Sequence, residues 1–182
     1  YRVRCWPELL YDKFREIGKS VTIYNGGVDG YTAGEELYKL IRDVGLLKPD
    51  LVISFSGVNN ALNKRKDYPY VPEHLGNIFD VVCGEKYIKG LKNHEMSIGQ
   101  IWIQQEQMMS AICKEVYGAE FICFAQPVYV SKRELLLEER LKFVDDAEAR
   151  TDALIFRKEV LQKAEQFKWM VDIQAFLDEK PE

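Results

Sequence analysis

Hydrophobic positions in this chain recur at two alternating spacings. Leu9, Leu10, Phe14 and Ile17 sit near helical spacing and stop at Gly18, which predicts a helix over 6–17. Val21, Thr22, Ile23 and Tyr24 form a short β-branched and aromatic run, read as a strand. Thr32-x-x-Glu35 is a capping box. It opens a helix whose Leu37, Leu40, Ile41 and Val44 are expected to face a sheet, with Gly45 near its end. Residues 51–55 are almost continuously apolar, the signature of a strand buried on both faces of a parallel sheet.

Residues 61–97 break the rhythm. Rich in Tyr, Pro, Gly, Asn and Lys, they read as an insertion of the kind that forms a lid or sets specificity. Helical spacing returns with Ile98, Ile101, Trp102, Met108, Met109, Ile112 and Val116, and Gly118 ends it. The Trp102, Met108 and Met109 stripe reads as core. Residues 121–124 form a further strand, stopped by Gln126-Pro127; 132–168 are charged and helical, and 171–176 begin a fourth strand or an extended segment. Strands that alternate with helices predict an α/β fold with a mainly parallel sheet and helices on both faces.

Composition narrows the function classes. A chain of 182 residues, 47% hydrophobic and 30% charged, can bury a sizeable core and is expected to form one domain over 1–182. The net charge of −4 gives no electrostatic footprint for nucleic acid, and Lys64-Arg65-Lys66 is the only tight basic run. No apolar run approaches the roughly 18 residues that span a bilayer. Cys5, Cys83, Cys113 and Cys123 contain no C-x-x-C pair and no zinc spacing. They fit a reducing compartment such as the cytoplasm, and their spacing leaves disulfide pairing open. Asp145, Asp146 and Glu148 read as a solvated helix face.

The candidate chemistry lies where two strands end. Asn25-Gly26-Gly27-Val28-Asp29-Gly30 follows the first, and Gly57-Val58-Asn59-Asn60 follows the apolar one. In open parallel sheets ligands bind at that end of the strands. The Asn59 amide could donate into a cleft, as could a backbone N–H near Gly27. Two donors aimed at one point make an oxyanion hole. Gly and Asn are also common turn formers, so spacing alone leaves a purely structural role open.

In this order, the two blocks resemble the second and third blocks of the SGNH (GDSL-type) hydrolases, N-x-G-x-x-G and G-x-N-D. Lys48-Pro49-Asp50 resembles the family's entry to the strand, Trp6-Pro7-Glu8-Leu9-Leu10 the helix after the nucleophile turn, and Phe124-Ala125-Gln126-Pro127 a later strand end. The resemblance implies a flavodoxin-like three-layer α/β/α fold and ester hydrolysis through a serine ester. Gly27 would supply a backbone oxyanion donor and Asn59 a side-chain donor. It implies no metal or organic cofactor. The expected substrate is an ester or O-acetyl group of a carbohydrate or lipid, and a homo-oligomer stays open.

Asn60 stands where the family usually has Asp. No G-D-S turn with the nucleophilic serine and no D-x-x-H block with the histidine can be recognised. The central first strand is therefore expected to be missing from this chain, the domain to be incomplete at both ends, and the chain alone to be inactive. Ser54 and Ser56 flank a buried strand and read as structural; His74 and His94 fall in the insertion and read as surface histidines. A non-catalytic binding module with the same cleft is the rival reading. An unrelated flavodoxin-like domain that binds a small ligand is a third.

Overall fold

The computed structural model describes residues 4–62, 96–128 and 147–173. They fall into two compact units, one ending at Gly30 and one starting at Tyr31.

In the first unit, helix α1 spans Trp6–Glu16. Cys5 is its N-cap, and the Glu8 carboxylate reaches back to the Cys5 N–H at 3.3 Å. Pro7 fits in the first turn, where its missing N–H costs no helical bond. The chain leaves α1 through Gly18, whose φ of +72° is a left-handed conformation that glycine adopts without strain. Residues 21–24 were expected to form a strand. They show alternating burial, as an extended segment would, yet they are not in a β-ladder. A strand exists through its partner's backbone, and among the described residues nothing pairs with this run.

The second unit carries the sheet. Strands β1 (Leu51–Ser56), β2 (Glu120–Ala125) and β3 (Met170–Asp172) lie in that order, all parallel. Leu51 pairs with Glu120 and Ser56 with Ala125, in unbroken register. Cys123 and Ala125 pair with Met170 and Asp172. The α/β class and the parallel sheet thus follow the sequence pattern, but β1 is not buried on both faces as its apolar run predicts: Leu51 is exposed and Val52, Ile53 and Phe55 are half-buried.

Helix α2 (Ala33–Lys39) widens into a π turn over Leu40–Val44, followed by a 3-10 turn over Gly45–Leu47. Leu40 is buried, but Ile41, expected to face the sheet, is exposed, because the wider turn shifts the side chains that follow it. Short helix α3 (Val58–Leu62) leaves β1 directly. Helix α4 (Ile98–Ile112) also ends in a π turn, Cys113–Tyr117, and Gly118 stops it at a φ of +66°. Helix α5 (Ala147–Ala164) leads to β3. Trp102, Ile101, Met109, Cys113, Phe121, Cys123, Phe156 and Val160 form the core. Met108 instead points outward, so the expected stripe is Trp102 with Met109.

Only the ends of the expected 61–97 insertion fall within the described residues: Ala61 and Leu62 finish α3, and Ser97 caps α4. His74, His94, Lys64, Arg65, Lys66, Cys83, Asp145 and Asp146 lie outside them. Among the described residues no helix is long and apolar enough to cross a membrane.

Candidate functional site

The turn after β1 is the best-built polar corner of the second unit. Gly57 leaves the strand at a φ of +119°. A Cβ there would lie 3.2 Å from the Phe156 ring and 3.5 Å from Trp102. Gly57 is thus required by conformation and by space together. The following Val58 N–H donates to Gln126 Oε1 at 3.3 Å, and the Gln126 N–H donates to the Ser56 carbonyl at 2.7 Å. Gln126, just past β2, therefore fixes where α3 begins.

Two adjacent asparagines then tie this turn to the start of α2. Asn59 Nδ2 donates to the Tyr31 carbonyl at 2.8 Å. Asn60 Oδ1 accepts the Ala33 N–H at 3.0 Å. The first bond orients the amide of the candidate donor while using one of its two hydrogens. The second satisfies a helix-start N–H that has no intrahelical acceptor. Asn60, which stands where the resembled family usually has Asp, thus bonds a distant helix start. Thr32 completes the corner: its N–H donates to Glu35 Oε2 at 2.7 Å, as the capping box predicts.

Gly27 belongs to the first unit. Its N–H, the expected backbone donor, bonds Asn25 Oδ1 at 3.1 Å in an Asx-type turn. The Asn25 amide lies 3.9 Å from Cys5 Sγ, which ties the turn to the cap of α1. A Cβ on Gly27 would sit 3.3 Å from Asn25 Oδ1. Segment 21–25 and α1 also enclose a groove of about 810 Å³ lined by Arg4, Cys5, Tyr11, Val21, Ile23 and Asn25, among others. Gly27 does not line it.

Ser54 and Ser56, read from the sequence as structural, are buried on β1 and hydrogen-bonded to α4. Ser54 Oγ donates to Glu106 Oε1 at 3.2 Å, and Ser56 Oγ accepts Trp102 Nε1 at 3.3 Å. Both hydroxyls are thus engaged with side chains of α4.

Sequence reasoning missed two features. Ser97-Ile98-Gly99-Gln100 is a capping box that S-x-x-Q spacing could have revealed: Ser97 Oγ accepts the Gln100 N–H, and Gln100 Oε1 accepts the Ser97 N–H, both at 3.1 Å. Ser97 Oγ also donates to the Glu159 carboxylate at 2.7 Å, joining α4 to α5. The other feature is a pair of neighbouring carboxyls: Glu106 is fully buried, and Glu36 is half-buried with its Oε2 shielded from solvent. Burial raises Glu36 to about 8, and the neighbouring Glu35 charge adds to the effect. Burial also pushes Glu106 well above the ordinary carboxylate range, with Glu36 contributing. No local periodicity signals this pair. Among the described residues no group of three or more His, Cys, Asp or Glu could hold a metal ion.

No family model matches the chain, and no solved structure matches it. A stretch of 59 residues is 39% identical to an arylesterase of Vibrio mimicus. That match covers 32% of this chain and 30% of that protein's length. The likeness is local, and it is to an esterase.

Proposed function

We propose that this chain is part of an SGNH-type ester hydrolase, with Asn59 as the side-chain oxyanion donor and Gly27 as the backbone donor. The observation that carries the reading is the Asn59 amide. It sits in the first turn after a parallel strand and is oriented by the Tyr31 carbonyl, with a second N–H to give. The local likeness to an arylesterase supports the same chemistry. In this reading both units belong to one flavodoxin-like domain, and a strand carrying the nucleophile lies beside β1.

The implied reaction is acyl transfer. A serine Oγ attacks the ester carbonyl while a histidine takes its proton; the carbonyl oxygen becomes an oxyanion held by Asn59 and Gly27. Collapse breaks the ester C–O bond, and the histidine returns the proton to the departing alcohol. Water then cleaves the acyl-serine by the same route. The substrate class is an ester or O-acetyl group of a carbohydrate or lipid. The serine and histidine of this reading lie elsewhere in the polypeptide than the described residues.

One observation favours the rival reading of a non-catalytic binding module. The Gly27 N–H is turned onto Asn25 and must swing away to serve as a donor. A fluorophosphonate probe separates the two. The hydrolase reading expects a single labelled serine in the full-length polypeptide and none in protein limited to residues 1–182. Labelling of Ser54 or Ser56 would overturn the assignment, and no labelling in either would favour the binding module.

A further inference from the structure

Three elements meet at Glu36 and Glu106. Glu36 lies on α2 and Glu106 on α4, and α2 packs against α4. Glu106 is 0% exposed, and Ser54 of β1 donates to its Oε1. Its Oε2 and the Oε2 of Glu36 are both shielded from solvent with no well-formed hydrogen bond among the described residues. Among the described residues, the groups that act on the pair are the Ser54 and Ser56 hydroxyls from β1, the Cys123 thiol from β2, and the Glu35 carboxyl from α2. None of these is a cation. On α5, which packs against α4, Glu159 is engaged with Ser97, and Arg157 has its Nε shielded from solvent. Two carboxylates held together in this shielded corner would each carry a desolvation penalty and repel one another.

We propose that Glu36 and Glu106 keep their protons at neutral pH and form a pH-sensitive clasp that holds α2 against β1 and α4, opening when the pair ionises. The neutral acids can donate to the hydroxyl and thiol groups around them, which two carboxylates cannot. The clasp bears on the candidate site because α2 starts at Ala33, whose N–H is held by Asn60, just beyond the Tyr31 carbonyl that orients Asn59. Opening would loosen both attachments. The inference stands apart from the hydrolase reading, since it concerns protonation of the fold and not turnover.

The sign follows from linkage. On unfolding, both carboxyls meet water and ionise near their ordinary value of about 4.3. Above that pH the folded chain holds more protons than the unfolded one, so stability falls as pH rises until the pair has ionised in the folded state as well. The two protons leave as a coupled set.

The test is infrared difference spectroscopy on the chain, isotopically labelled at glutamate, together with thermal unfolding from mildly acidic pH up into the alkaline range, where carboxyls raised by burial give up their protons. The expected result is a protonated-carboxyl band at neutral pH that disappears in alkali, with Tm falling over the same range. Glu36→Gln combined with Glu106→Gln mimics the neutral acids; it should abolish the band and flatten the Tm profile. Exchange protection of the Ala33 amide, corrected for base catalysis, should drop as the band is lost. Absence of the band from the folded wild-type protein at neutral pH would overturn the proposal, and that measurement does not depend on any variant folding. Ala33 protection that stays constant while the band disappears would overturn the clasp.

Discussion

Asn60 Oδ1 accepts the backbone N–H of Ala33 at 3.0 Å, so the residue that ends one candidate motif caps the helix that follows the other. The bond is buried, and its partner is a helix-start amide with no intrahelical acceptor. Asn60→Ala should therefore destabilise the chain by about 1–3 kcal/mol, the usual cost of leaving a buried donor unmet. Asn60→Asp keeps an acceptor oxygen at the N-terminal end of α2 and should lose less. Urea unfolding of the two variants checks the order.

Gly57 should tolerate no side chain. Its φ of +119° is a region that other residues enter at a cost, and a Cβ would press on Phe156 and Trp102. Gly57→Ala is expected to cost at least about 1–3 kcal/mol, read by thermal unfolding. Phe156→Leu in the same protein should recover only the steric part of the loss.

Gly99 and Glu159 should show strong coupling. A Cβ on Gly99 would collide with the Glu159 carboxylate and approach its Cβ to 3.1 Å. Gly99→Ala should destabilise by about 1–3 kcal/mol in the parent, as overpacking does. It should cost markedly less when Glu159 is already Ala. A double-mutant cycle gives the coupling directly; additive losses would show that the carboxylate moves aside freely.

Local order was legible where one element's own residues decide it. The capping box at Thr32 and Glu35, the apolar run of β1 and the glycine stop at Gly118 each act within a few residues. Interactions that depend on distant partners were not. Nothing near Asn60 points to Ala33, and neither Glu36 nor Glu106 differs locally from a solvated helix carboxyl until α2 and α4 pack together. Residues 21–24 carry strand propensity but lack a ladder among the described residues, because propensity supplies no partner. In the candidate site, Asn59 was legible as a donor after a strand, whereas its tether to the Tyr31 carbonyl depends on the folded arrangement.

The role of Asn59 is the central claim, and turnover of a short aryl or acetyl ester by the full-length polypeptide carrying Asn59→Ala tests it most directly. Loss of one oxyanion donor should lower kcat by about 10²–10³. KM should change little, since the bond strengthens only as charge develops on the oxygen. The variant also gives up the bond to the Tyr31 carbonyl, so a stability loss of about 1 kcal/mol is expected without unfolding. Near-parental kcat in a folded Asn59→Ala protein would contradict the account and reduce Asn59 to a tether between α3 and the start of α2.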